Sequence, residues 1–240
     1  MKGLKFYAAG LCAALLLNSC GMSNTAKGGI IGGAGGAGLG AALGALIAHN
    51  SGKGAAIGGA AGAVIGTAAG LLIGKKMDKA KAAAQQVANA QVESTTDANG
   101  YQAVKVTFDS GILFQSGKSV LNATAQSSLS NFANNVLKAN SDMNVGIVGY
   151  TDNDPWKGKT AEQSVAANQQ LSLQRAQAVS SFLLNQGVAN SQIKEVAGLG
   201  ESNPVADNST AAGKAQNRRV EVYLYASDEM IKQAEAGTLQ

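Results

Sequence analysis

The sequence predicts an α+β domain in its carboxy-terminal half, a mixed sheet with helices packed on it, behind an amino-terminal helical hairpin built on glycine. Three observations carry this expectation. After residue 95 the apolar positions switch between a period of two and steps of three or four. Before residue 75, eleven glycines stand at a strict spacing of four. The chain opens on two lysines and a short apolar run.

The 31 glycines against 2 prolines in 240 residues are not those of an ordinary core. The net charge is +4, with lysines and arginines scattered and without aromatic neighbours, so no nucleic-acid interface is expected. Both cysteines, Cys12 and Cys20, lie in the first twenty residues, which excludes a disulfide framework in the rest of the chain. His49 is the only histidine, so neither a Ser-His-Asp triad nor a multi-histidine metal site can be assembled. A hydrolytic carboxylate pair of Asp152 with Asp154 or Glu162 stays formally open, but clustered loop carboxylates are usually solvated. No reaction and no cofactor are expected.

Lys2 and Lys5 precede "FYAAGLCAALLL", the layout of a secretory signal over 1–19. Its end, "LLNSC", resembles a bacterial lipobox, which implies cleavage before Cys20 and acylation of Cys20 at the head of a tether over 20–27. Each buried methylene of such chains contributes about 0.8 kcal/mol to membrane binding. Gly21 and Met22 lack the aspartate that resembles an inner-membrane retention signal, a feature that leaves the choice of membrane open; the outer membrane is the expected site, with the carboxy-terminal domain in the periplasm.

Over 28–74 two ladders follow, Gly28, Gly32, Gly36, Gly40, Gly44 and then Gly54, Gly58, Gly62, Gly66, Gly70, Gly74. A spacing of four puts each ladder on one stripe of a helix, where a second backbone can approach closely. A glycine costs roughly 1 kcal/mol in a water-exposed helix, so the lipid bilayer or tight pairing must compensate. Each segment is about 20 residues, or ~30 Å of helix, and Asn50, Ser51 and Gly52 make the turn between them. Homo-oligomerisation through these zippers, up to a pore-like assembly in the bilayer, is the rival to a simple anchor. Residues 75–94 read as a helical stalk, 95–226 as the second domain and 227–240 as a tail.

Within that domain, Val92 to Thr96 and Tyr101 to Phe108 flank "DANG", whose Asn99-Gly100 pair signals a hairpin. Leu121, Ala125, Leu129, Phe132, Val136 and Ala139 mark an amphipathic helix with Asn122 as cap. "MNVGIVGY" reads as a buried strand, "QQLSLQRAQAVSSFLLNQG" as a helix closed by Gly187, and "QIKEVAGLG" as a third strand. "RRVEVYLYA" alternates Val220, Val222 and Leu224 with Glu221, Tyr223 and Tyr225, as a strand with one packed face does. The order is βαβαββ-like.

Asp152 follows the carboxyl end of a strand, where α/β sheets place ligand loops, and Arg175 falls in the first turns of the next helix. The two can clamp a zwitterionic amino acid, carboxylate to ammonium and guanidinium to carboxylate. They can equally form a salt bridge that staples the loop, and spacing alone favours the staple.

"VGYTDN", "NQQLSLQRAQAV" and "GLGESNPVADNSTAAGKAQNRRVEV" together resemble the OmpA-like peptidoglycan-binding domain shared by OmpA, Pal and MotB proteins, over roughly residues 100–226. The wider layout of lipobox, double glycine ladder and this domain resembles outer-membrane lipoproteins of the YiaD type. The resemblance implies the OmpA carboxy-terminal fold and a noncovalent grip on peptidoglycan through the diaminopimelate of its stem peptide, tethering membrane to wall. It implies that Asp152 takes the ammonium and Arg175 the carboxylate. Asn168, Leu171 and Ser172 match the helix motif leading to that arginine, and Thr151 and Asn153 shape the loop. Phe114 with Gln115 stands where phenylalanine-aspartate is usual, so a charge is missing there. Arg218 and Arg219 match a signature whose role is either ligand contact or an ion pair fixing the last strand. "NDPWKGKTAEQSVAA" reads as a longer connection than the family's, and its Trp156 can cover the pocket mouth, contact glycan or pack back on its own loop.

Overall fold

The computed structural model describes residues 66–97 and 99–240. The expected signal sequence, Cys20, the tether and the hairpin as far as residue 65 lie outside the described residues.

The first helix, α1 (Ala68–Ala84), starts at Thr67, whose extended backbone and side-chain bond to the Gly70 amide at 3.1 Å form an N-cap. This corrects two expectations. The expected hairpin does not extend to Gly74, because Gly70 and Gly74 lie in a helix that begins at Ala68. Nor is the following segment a free stalk: Ile73, Met77, Ala80 and Ala84, at steps of three and four, are fully buried in the main core of the domain. The domain therefore begins well before residue 95. Among the described residues no helix is long and apolar enough to cross a membrane.

A hairpin follows, β1 (Ala90–Thr96) against β2 (Gln102–Asp109), in antiparallel register. Its turn is held by Asp97 Oδ1, which accepts from the amides of Asn99 and Tyr101, each at 2.9 Å. A short helix, α2 (Ser110–Leu113), leads to α3 (Ala123–Phe132), capped by Asn122 as expected; its run continues through a π turn over Ala133–Leu137. Strand β3 (Met143–Gly149), the long helix α4 (Ala161–Asn185), β4 (Ile193–Gly198), α5 (Ala211–Asn217), β5 (Arg219–Ala226) and α6 (Asp228–Glu235) complete the domain. The sheet order is β1-β2-β5-β3-β4, parallel between β3 and β4 and antiparallel elsewhere.

The apolar faces of α1, α3, α4 and α6 join one side of the sheet in a single core around Phe108, Phe132, Val145, Val222 and Leu224. The expected tail is thus part of the fold, since Met230, Ala234 and Leu239 sit in that core. Strand β5 also departs from its alternating pattern: all eight residues are buried, because it is the middle strand. Its second face carries Arg219, Glu221, Tyr223 and Tyr225.

Helix α4 crosses the parallel pair at very short range. A Cβ on Gly149 would stand 2.1 Å from the Ser172 carbonyl oxygen, and one on Gly198 2.2 Å from the Leu173 amide nitrogen. Only glycine lets the helix settle there, and that close approach holds α4 over the carboxyl end of β3.

Candidate functional site

At that end of β3 lies a cleft of about 740 Å³. The strand delivers Thr151 and Asp152, α2 and its exit deliver Ser110 and Phe114, and α4 delivers Asn168, Leu171 and Arg175. The last three, spaced i, i+3 and i+7, share one helical stripe. Thr160 opens α4 with a capping box, its side chain taking the Gln163 amide while Gln163 returns a bond to the Thr160 amide. "TAEQSVAA" is therefore cap and helix, so the loop proper is only 153–160, and Arg175 lies about four turns into α4 rather than in its first turns.

Asp152 is buried, and its nearest cation is Arg218, which donates from Nη1 to Oδ2 at 2.5 Å. The Asp154 amide donates to Oδ1 at 3.3 Å. A carboxylate has about four lone-pair sites, so Asp152 keeps acceptor capacity. Arg175 is also buried, yet among the described residues the one hydrogen bond of its side chain runs from Nε to the Lys118 carbonyl at 3.0 Å, with the guanidinium 5.3 Å from the Phe114 ring centroid. Among the described residues its Nη atoms meet no acceptor. Burial, then the neighbouring charge of Arg218, pull the Arg175 pKa down to about 10, while Asp152 acts in the opposite direction. No Asp152–Arg175 salt bridge, the alternative that spacing alone favoured, is formed; the pair share a cleft and a field, and Arg218 takes the bridge.

The remaining expected residues divide. Thr151 lines the cleft with a buried hydroxyl that meets no hydrogen-bond partner among the described residues. Phe114 floors Arg175, and Gln115 lines the cleft beside it. Asn168 lines the cleft too, but its amide is spent on the loop: Nδ2 donates to the carbonyls of Asp152 and Asp154 and to Glu201, and Oδ1 accepts from Trp156 Nε1 at 2.7 Å. Asn153 is exposed and does not line the cleft, which corrects its place in the site. Arg219 does not line it either. Its guanidinium stacks 3.7 Å from the Tyr150 ring centroid and donates from Nε to Glu221 at 2.8 Å, on the second face of the sheet. Tyr223 donates its hydroxyl to the other Glu221 oxygen at 2.6 Å, and burial raises the pKa of both Tyr150 and Tyr223.

Sequence reasoning missed Arg218 as the partner of Asp152 and Lys214 as the partner of Asp154, at 2.6 Å. Both come from around α5, and sixty or more positions of separation left no local signal. Among the described residues no group of three or more His, Cys, Asp or Glu side chains could hold a metal ion.

A five-stranded mixed sheet, helices gathered on one side and a charged cleft at the carboxyl end of its inner parallel strand define a two-layer α+β domain. Residues 113–218 match the OmpA family. Residues 1–78 match the YMGG-like Gly-zipper. The "Probable lipoprotein YiaD" of Escherichia coli (strain K12) is 42% identical over 47% of this chain and 47% of its own. The "Peptidoglycan-binding protein ArfA" of Mycobacterium tuberculosis (strain ATCC 25618 / H37Rv) is 46% identical over 36% of this chain and 24% of its own. These curated relatives are thus matched over half their length or less. A solved MotB-like protein from Desulfovibrio vulgaris shares the fold at a TM-score of 0.52 and 22% identity, over 65% of this chain and 94% of that one.

Proposed function

We propose that this chain is an outer-membrane lipoprotein that binds peptidoglycan noncovalently, gripping the diaminopimelate of the stem peptide and tethering the membrane to the wall. One observation carries the reading: a buried carboxylate with acceptor capacity left and a buried guanidinium with open Nη atoms line one cleft. Opposite charges so placed suit the ammonium and carboxylate of one amino-acid centre. The lone Thr151 hydroxyl adds a neutral contact. The relatives named as a lipoprotein and a peptidoglycan-binding protein support the same reading. The membrane side rests on acylated Cys20 and on the glycine ladders, which fall within the Gly-zipper match. Zipper-driven oligomers are a second reading that this match favours; crosslinking in native membranes that gives a ladder beyond dimer supports them.

The test is retention of the full chain on isolated sacculi beside Asp152→Ala and Arg175→Ala. Each substitution removes one half of the clamp and is expected to cost about 2–5 kcal/mol of binding. Equal retention of all three proteins refutes the clamp.

A further inference from the structure

We infer that Trp156 forms a sugar-binding platform beside the clamp, taking a pyranose ring of the glycan that bears the gripped peptide; this rests on the peptidoglycan reading above. The loop over 153–160 is braced rather than loose. Its Asp154 is ion-paired with Lys214, the Trp156 amide donates to Ser164 Oγ at 3.0 Å, and the Lys159 amide closes a turn on the Trp156 carbonyl at 3.1 Å. Gly158 supplies the positive φ of +77° that this turn needs.

The indole is fixed as well. Its Nε1–H is committed to Asn168 at 2.7 Å, yet the residue stays half-buried and lines the cleft together with Asp152, Pro155 and Lys157. With its polar edge bound to α4, what the ring can offer a ligand is carbon surface. A preformed aromatic surface flanked by the exposed Asp154 and Lys157 matches a pyranose, whose C–H face is apolar and whose rim carries hydroxyls. Holding the ring in advance also removes the ordering cost of recruiting it.

Reach agrees with this. Two amino acids separate diaminopimelate from the sugar's lactyl group, a span of roughly 10 Å when extended. Trp156 follows Asp152 by four residues, so its Cα lies at most roughly 14 Å away.

Trp156 is the only tryptophan in the chain, so its fluorescence reports the platform directly. The full chain in detergent is titrated with a diaminopimelate-containing stem tripeptide and with the same peptide carried on N-acetylglucosaminyl-N-acetylmuramic acid, with affinities from calorimetry. The sugar-bearing ligand is expected to bind about three- to tenfold more tightly and alone to shift the Trp156 emission. Trp156→Ala should erase the preference, weakening the sugar-bearing ligand more than the tripeptide, and Trp156→Phe should keep part of it. Equal weakening of both ligands by Trp156→Ala would make the residue a brace for the loop and overturn the platform, as would a wild type without preference. Tripeptide binding that survives Asp152→Ala undiminished would instead overturn the clamp on which the platform rests.

Discussion

Arg218 donates to Asp152 at 2.5 Å across 66 positions of sequence, so the carboxylate assigned to a ligand's ammonium already has a cation of its own. The Arg218 side chain is 36% exposed and that of Asp152 9%, which makes this a pair at the cleft rim rather than a sealed one. A partly exposed pair contributes little. Arg218 is read as holding Asp152 in place until an ammonium shares or takes its oxygens.

Arg218→Gln should therefore weaken tripeptide binding by up to about 1 kcal/mol, or roughly fivefold. Loss of Asp152 or Arg175 should cost clearly more. Calorimetry on the three variants settles the order. A loss on Arg218→Gln equal to that on Asp152→Ala would make Arg218 a ligand contact.

Arg219 stands one residue on and faces the other way. Its partner Glu221 is 1% exposed and also receives the Tyr223 hydroxyl, with Lys105 Nζ at 4.0 Å. Breaking a buried pair leaves an uncompensated charge, so Glu221→Gln or Arg219→Gln should lower stability by about 3–5 kcal/mol. The folded fraction should keep wild-type affinity for tripeptide. Thermal unfolding paired with binding at low temperature checks both halves, and lost affinity with intact stability would return Arg219 to the site.

How much of this was legible depended on how local each signal was. Asn122 announced itself through a cap, Asp152 through a strand end and Arg175 through the helix that follows, whereas Thr151 and Asn168 were flagged only by the resemblance. Arg218 could be flagged only through the resemblance, because adjacent arginines on a strand entrance do not say which one turns to which face. The two-sided burial of β5 was hidden because its middle position depends on pairings with β2 and β3, both remote in sequence. The start of α4 was misjudged although Thr160 and Gln163 form a capping box; the polar stretch before Asn168 looked like loop. Similarly, the alanine-rich periodicity of α1 predicts a helix without saying what it packs against.

Asp97 gives a dependence on pH with a definite sign. Burial raises its pKa above the ordinary 3.8, against the opposing amide bonds from Tyr101 and Asn99, and its Oδ2 has no partner among the described residues. A raised folded pKa means the folded state binds the proton more tightly. The contribution is fully present below 3.8 and is lost as pH rises through the folded value. Asp97→Asn keeps the Oδ1 acceptor and never charges. Its stability relative to wild type should hold level in acid and grow as pH rises above 3.8, read by denaturant unfolding at a series of pH values. A difference independent of pH would show that the buried carboxyl does not titrate as described.

The last prediction concerns where the domain begins. Helix α1 buries Ile73 and Met77 completely, side chains that represent about 3–6 kcal/mol of burial between them. It is also tied to the sheet by Gln102 Nε2 donating to Asp78 at 2.7 Å, by Lys81 Nζ donating to Ser94 at 3.0 Å, and to the β3 entrance by the Lys76–Asp142 ion pair. Removing residues before 95 deletes α1 and most of β1, and lays open the core beneath them. Domains of this size are stable by only about 5–15 kcal/mol, so that loss is a large share of the whole. A chain of residues 66–240 should unfold in one cooperative transition, whereas 95–240 should melt far lower or show no transition. Equal melting temperatures would restore α1 to the role of a stalk. Peptidoglycan binding by the shorter chain should fail together with its fold, because the glycine-to-helix contacts that hold α4 over Asp152 depend on an intact sheet.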